Sequence, residues 1–329
     1  MKYFLGIDGG QSHTTALIAD GNGRILGQGS AGASNHTRAP GGRERLIAAV
    51  TKSVSEALEN AGLLKKPSKS KTPNGLADFK FASAHLAMTG EPEDKVEIVN
   101  DLLRADQLFV GHDAPAALAG ALAGREGVIV LAGTGTVACG ETAGGKFAQV
   151  GGHGYMFGDE GGAFSIAKDA LSVALMMEDC GRPMALSKEL LAHFKRPTLK
   201  AIAEDFYAGE LSRDRLASFA VRVDKLAKRK DPAAIEILDV AGEALAAMAV
   251  SCVNRLELFK GKISFGGGVF KNRLVRDVFE EIVMAELPDV EIAAPQFGPE
   301  IGALLLAYRQ AEKKITPTLL AHITETQQK

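Results

Sequence analysis

The sequence has no tryptophan and only three cysteines among 329 residues. Cys139, Cys180 and Cys252 are widely spaced and form no CxxC pair, which excludes a zinc knuckle and a thioredoxin-type redox pair. So sparse and odd a set predicts buried thiols in a reducing, cytosolic setting. An excess of one charge is missing too: 38 Lys and Arg stand against 40 Asp and Glu, a formal charge of −2. That excludes a nucleic-acid binder whose affinity comes from bulk charge. No apolar run approaches the ~18 residues that span a bilayer. The opening run, Lys2 to Ile7, reads as a strand rather than a basic-then-apolar leader, so neither a membrane partner nor a secretory signal is expected. With 46% hydrophobic and 24% charged residues, wholesale disorder is excluded as well. The length suits two lobes, each burying its own core.

What the sequence does have is glycine, 37 residues, and it is clustered. The run Tyr3–Asp8 ends in Gly9-Gly10, Thr14–Asp20 follows, and Gly21-Asn22-Gly23 leads into Arg24–Gln28. This is the grammar of an antiparallel meander with glycine turns. From Pro40 to Gly62, Leu46, Val50, Val54 and Leu58 recur every four residues, the apolar stripe of a helix. The polar, basic stretch from Lys65 to Gly75 reads as a solvated loop. Phe79–Met88 reads as a buried strand, Glu93–Arg104 as a helix, and Phe109–Asp113 as a short strand ending in an acid.

The second half repeats the pattern. Gly127–Ala132 is a strand ending in Gly133-Thr134-Gly135-Thr136, and Val137–Gly140 and Lys146–Val150 flank a turn. Helices are expected from Phe164 to Lys230, with breaks at Gly181, Pro183 and Pro197, and from Asp231 to Phe259, opening on Pro232. Ile263–Phe265 is a strand running into Gly266-Gly267-Gly268-Val269. Ile301–Lys314 closes as an amphipathic helix, and the last residues read as a frayed tail. No repeat of 20 to 50 residues appears, which excludes a solenoid. Two α/β lobes of similar layout imply a cleft where a small molecule binds.

Gly27-Gln28-Gly29-Ser30-Ala31-Gly32 fits GxGxxG, yet no helix opens after it, so a dinucleotide fingerprint is rejected in favour of a glycine-rich strand end. Three other turns are better placed, each directly after an apolar strand. Asp8-Gly9-Gly10-Gln11-Ser12-His13-Thr14 offers backbone N–H groups and the hydroxyls of Ser12 and Thr14 for phosphate oxygens, with Asp8 to hold Mg²⁺ through water. Gly133–Thr136 has the same logic. Gly266–Gly268 offers a bare backbone surface for a flat base or a phosphate. Together the three point to nucleotide binding.

In order, these turns resemble the phosphate-1, phosphate-2 and adenosine segments of the sugar kinase/Hsp70/actin superfamily. Ser34-Asn35-His36, His112-Asp113-Ala114 and Gly151-Gly-His-Gly-Tyr-Met-Phe-Gly-Asp-Glu-Gly-Gly162 narrow the resemblance to the N-acetylglucosamine kinase and BadF/BadG/BcrA/BcrD ATPase family, over about residues 3 to 310. The resemblance implies two ribonuclease H-like lobes of the actin-like ATPase fold with an interlobe cleft. They would be residues 1–115, with a helix at about 303–315 packing back on it, and residues 116–302. It implies an ATP- and Mg²⁺-dependent kinase phosphorylating an amino sugar, N-acetylglucosamine or glucosamine, at the 6-hydroxyl, and a homodimer.

Carried over residue by residue, Asp8 would position Mg²⁺. Gly9, Gly10, Gln11, Ser12, Thr14, Gly133, Thr134, Gly135, Thr136, Gly266, Gly267 and Gly268 would hold ATP. Asn35, Asp113, Gly152, His153, Gly154 and Asp159 would line the sugar, with Asp113 as the base that takes the proton of the attacking hydroxyl. Asp113 could alternatively cap the next helix, and Asp159 and Glu160 the helix near Ala163. His153 stands where amino-sugar kinases often have Trp, which implies a different pocket wall. Two other readings stay open. One is an ATP-driven activator of 2-hydroxyacyl-CoA dehydratases, whose relatives hold an iron–sulfur cluster with a Cys where this chain has Val128–Ala132. The other is a nucleotide-sensing protein.

Overall fold

Strands punctuated by Asp and Gly set the first layer. The structure, a computed structural model, describes all residues except 35–36, 65–75, 77, 183 and 328–329. It divides into two units, Met1–Arg125 with Pro295–Lys329, and Glu126–Ala294.

The first unit runs β1 (Tyr3–Gly9), β2 (Thr14–Asp20), β3 (Ile25–Ala31), α1 (Gly42–Asn60), β4 (Lys80–Phe81), β5 (Ser83–Met88), α2 (Glu93–Leu102), β6 (Arg104–Ala105), β7 (Leu108–Gly111) and α3 (Asp113–Ala121). Its sheet has the order β3-β2-β1-β5-β7, with the first three strands antiparallel and β1, β5 and β7 parallel. The β2–β3 turn is fixed by Asp20, whose Oδ1 accepts from the amides of Asn22 (2.8 Å) and Arg24 (3.1 Å). Buried on both faces, β5 is apolar apart from Ser83 and His85. The stripe Leu46, Val50, Val54 and Leu58 seats α1 on the sheet. Gly27 and Gly29 allow that approach: a Cβ on either would lie 2.1 Å from the Ala57 carbonyl or 2.0 Å from that of Ser53. The GxGxxG run is therefore a strand packed under a helix.

The second unit runs β8 (Gly127–Ala132), β9 (Thr136–Glu141), β10 (Phe147–Gly151), α4 (Ala163–Asp179), α5 (Ala185–Phe194), α6 (Leu199–Tyr207), α7 (Arg213–Ala217), α8 (Ala220–Lys228), α9 (Pro232–Leu256), β11 (Lys262–Gly266), α10 (Arg273–Glu286) and β12 (Glu291–Ala293). Its sheet order, β10-β9-β8-β11-β12, repeats that of the first unit, with the same antiparallel and parallel pairings. Asp231 caps α9 by accepting from the Ala234 amide at 3.0 Å, and Pro232 fills the first helical position.

The chain then returns to the first unit with α11 (Pro299–Gln310) and α12 (Pro317–Gln327). The units divide after residues 125 and 294, where 115 and 302 were expected, because α3 packs against α11. Cys139 and Cys252 are buried as expected, whereas Cys180, at the end of α4, is exposed. Among the described residues the tail is not frayed. It forms α12, and Leu319 and Ile323 are buried against Phe4, Leu17 and Tyr308. The expected strand 79–88 is two pieces, broken at Ala82. The segment 270–300, for which the sequence reading proposed no element, holds α10 and β12.

One buried histidine has a thermodynamic consequence. On β5, His85 is 4% exposed, and its Nδ1 lies 3.0 Å from Gln310 Nε2. The Ser83 hydroxyl lies 3.3 Å from Gln310 Oε1 on the other side of the amide, and the ring's Nε2 is buried. Burial lowers its pKa to about 4, against the smaller raising effect of the Gln310 bond. Between pH 6.5 and 4 the unfolded chain binds a proton that the folded chain refuses, so stability falls as pH drops through that window. The loss reaches about 3 kcal/mol at most. Urea unfolding at pH 7 and 4.5 should show a smaller acid loss for His85→Asn than for the wild type. Equal losses would remove His85 as the cause.

Candidate active site

In the first unit the carboxyl ends of three parallel strands converge, the usual ligand edge of an open α/β sheet. β1 ends at Asp8-Gly9, β5 is followed by Thr89, and β7 by His112-Asp113. The Thr89 amide donates to the Gly9 carbonyl at 3.0 Å, which ties the first two strand ends together. Asp113 opens α3. His112, not Asp113, is the residue preceding the helix, and no side chain caps it. The Asp113 carboxylate is free to turn to Thr89, whose Oγ1 donates to Oδ2 at 2.9 Å. A carboxylate in a first helical turn is also favoured by the helix dipole.

Asp8 sits in the field of its neighbours. Burial pushes its pKa up to about 6, and the carboxylates of Glu300 and Asp113 push the same way, partly offset by His13. Three carboxylates acting on one partly buried position call for a cation. Among the described residues, no group of three or more His, Cys, Asp or Glu side chains could hold a metal by itself. This donor set fits Mg²⁺, which takes one or two carboxylates and completes its shell with water and phosphate oxygens.

The β1–β2 turn closes with the Gly10 amide donating to the His13 carbonyl at 2.9 Å. Gln11 and Ser12 are exposed there, whereas Thr14 is buried and its hydroxyl donates to the Gly32 carbonyl at 2.8 Å. Asn35 lies outside the described residues.

In the second unit, Gly133–Thr136 links β8 to β9. The carbonyls of Gly133 and Thr134 accept from the amides of Ala163 and Phe164, so the turn is seated on the first turn of α4. Asp159 braces it from the other side. This residue is 5% exposed and holds φ +66°, a strained backbone for a side chain other than glycine. Its Oδ1 accepts from the Thr136 amide at 2.9 Å, and its Oδ2 from Arg213 Nη2 at 2.7 Å. The Arg213 guanidinium in turn lies over the rings of Tyr155 and Phe164. Neither Asp159 nor Glu160 caps α4; Gly162 occupies that position without a side-chain bond. Gly152 and Gly154 take φ +74° and +82° in the loop that carries the exposed His153.

A third element meets this turn. Gly267, with φ +98°, is packed so closely that a Cβ would lie 2.3 Å from the Ala132 carbonyl. No atom lies within 4 Å of where a Cβ on Gly133 or Gly268 would point. Both glycines line a cavity of about 480 Å³ whose floor is Ile166, Leu238 and Val269. The space combines mostly apolar walls with the bare backbone of Gly133 and Gly268.

The residues that sequence reasoning missed are Thr89, Glu300, Arg213 and Asp224. Each is a lone polar residue with no local motif, and each gains its meaning from a partner at least 24 residues away. Arg213→Met leaves Asp159 buried without its cation. Breaking such a pair costs about 3–5 kcal/mol when it is fully buried. Arg213 is 32% exposed, which reduces the cost to about 2 kcal/mol. A fall of about 6 °C in melting temperature is expected, with Arg213→Lys falling by less. An unchanged midpoint would show that the pair does not brace the turn.

Two sheets of identical order, each with a glycine turn between its first two antiparallel strands, and a third glycine turn after β11, define the actin-like ATPase fold. The chain belongs to the BadF/BadG/BcrA/BcrD ATPase family, which matches residues 5–307. It is 27% identical over 320 residues to the N-acetylmuramic acid/N-acetylglucosamine kinase of Clostridium acetobutylicum, covering 95% of this chain and 100% of that one. To the N-acetyl-D-glucosamine kinase of Dictyostelium discoideum it is 25% identical, over 93% of this chain and 98% of that one. A solved Chromobacterium violaceum structure, proposed to be an N-acetylglucosamine kinase, superposes with a TM-score of 0.74 at 25% identity, covering 93% of this chain and 99% of that one.

Proposed function

We propose that the protein is an ATP-dependent sugar kinase that transfers the γ-phosphoryl group of ATP to an amino sugar, at its 6-hydroxyl. The observation that carries this reading is Asp113, a half-buried carboxylate at the head of α3, oriented by Thr89. Support comes from relatives named as amino-sugar kinases that match almost the whole chain.

A sugar hydroxyl is a weak nucleophile at neutral pH. Asp113 accepts its proton as the O–P bond forms, while Thr89 holds the carboxylate in one orientation. The N–H groups of Gly9, Gly10 and Gly133–Thr136 receive phosphate oxygens, and the nucleoside lies in the cavity beside Gly268. When bound at Asp8, Mg²⁺ supplies neutralisation of the charge that develops on the transferring phosphoryl group. Asn35, Gly152, His153, Gly154 and Asp159 belong to the proposed sugar site. Assembly as a homodimer in the cytoplasm belongs to the same proposal. Among the described residues, no helix is long and apolar enough to cross a membrane.

The test is ADP release from Mg-ATP with and without N-acetylglucosamine, glucosamine, N-acetylmannosamine, N-acetylmuramic acid or glucose. Stimulation by an amino sugar supports the reading. ATP hydrolysis indifferent to every sugar overturns it.

A further inference from the structure

The cavity of the second unit, mostly apolar but also lined by Thr134 and Lys271, contains a polar pair that the proposed function leaves unused. Asp224 of α8 and Asn272, just ahead of α10, both line it. Asn272 Nδ2 donates to Asp224 Oδ1 at 2.8 Å. The orientation of this amide is fixed, because Asn272 Oδ1 accepts from the Val275 amide at 3.1 Å as the cap of α10. Lys228 Nζ, one turn further along α8, donates to Asp224 Oδ2 at 2.7 Å. A carboxylate has about four acceptor positions and a primary amide two donor hydrogens. Two acceptor positions and one N–H therefore remain on a wall that is mostly apolar, Thr134 and Lys271 apart.

We propose that Asp224 and Asn272 form the pair that reads the nucleoside, the carboxylate accepting from a ligand O–H or N–H and the amide donating to the atom beside it. The inference rests on the assignment of this cavity to the nucleotide. Two parts of an adenine nucleotide carry a donor next to an acceptor: the ribose 2′,3′-diol, and the edge of the base that bears the 6-amino group. A few fixed polar groups in an apolar pocket set orientation and specificity, so the pair decides which nucleotides are accepted. A ligand lacking the matching donor leaves this partly buried acceptor, 25% exposed, without its partner and binds more weakly.

The experiment is calorimetric binding of ADP, 2′-deoxy-ADP and the purine riboside diphosphate that lacks the 6-amino group, to wild type and to Asp224→Ala. Asp224→Asn, which keeps the volume and one oxygen for Asn272, is the second variant, and thermal melts check folding of both. ADP should bind about ten- to a hundredfold more weakly to both variants. One analogue, and not the other, should lose its penalty once Asp224 is gone, which names the ribose or the base as the group read. If either folded variant binds ADP within about twofold of wild type, or if both analogues keep their full penalties, the inference is overturned. A wild-type protein that binds no ADP overturns the nucleotide reading itself, a result separate from the first because it appears before any substitution is made.

Discussion

Asp113→Asn should reduce sugar-dependent ADP formation by about a thousandfold, the usual range for losing a general base. The substitution is close to isosteric. An amide oxygen still accepts from the Thr89 hydroxyl, so the replacement side chain keeps its place at the head of α3. What it loses is the capacity to take a proton. ADP affinity should stay within about twofold, because the nucleoside cavity is lined by residues of the other unit. Thr89→Val is the companion variant. It leaves the base in place but frees its orientation, so a smaller fall, about tenfold, is expected. A folded Asp113→Asn protein that keeps a tenth of wild-type turnover would mean that another group takes the proton.

Gly302→Ala should unfold the first unit more readily than any other single methyl addition in α11. A Cβ at residue 302 would lie 1.7 Å from the Ala116 carbonyl oxygen and 2.6 Å from the Gly120 amide. Both are backbone atoms of α3, so no side chain can swing aside. Overpacking a core costs about 1–3 kcal/mol when side chains can adjust. Here two helices must separate, and the cost lies at about 3 kcal/mol or above, against a gain of about 1 kcal/mol in helix propensity. A drop of at least 5 °C in melting temperature is expected, roughly what 2 kcal/mol produces in a unit of this size. Gly32→Ala is the control: nothing lies within 4 Å of its Cβ position, and it should melt with the wild type. If the two variants melt together, α3 and α11 are not held as closely as described.

Much of the fold was legible because local chemistry and global architecture agree. Asp20-Gly-Asn-Gly23 could only be a turn, and the four-residue recurrence of Leu46, Val50, Val54 and Leu58 could only be a helix face. The glycine turns announced strand ends. The C-terminal helix was not legible: Pro317–Gln327 is short and mixed in composition, and its two buried residues matter only because the β2–β3 hairpin waits for them. Arg213 was hidden for a similar reason. In sequence it is one of many charged residues on helices, and only the fold brings it to Asp159, 54 positions away. Thr89 follows a strand and gave no signal by itself. The role of an acid such as Asp113 depends on what stands beside it, and a linear pattern cannot report that.

The chain leaves the first unit after Arg125 and returns to it at Pro295. The two crossing points are adjacent, since the amides of Gln296 and Phe297 donate to the carbonyls of Ala121 and Gly120. On the ribosome this arrangement imposes an order. The second unit is one continuous stretch and can fold as soon as it clears the exit tunnel. β1, made before the second unit, must wait through the synthesis of that unit before α11 is available. Phe4 finds Leu304, Leu305 and Tyr308 only when α11 emerges. At about 5–20 residues per second, that interval is tens of seconds. For that time the nascent sheet of the first unit has one face uncovered, and the unit begun before the other is completed after it.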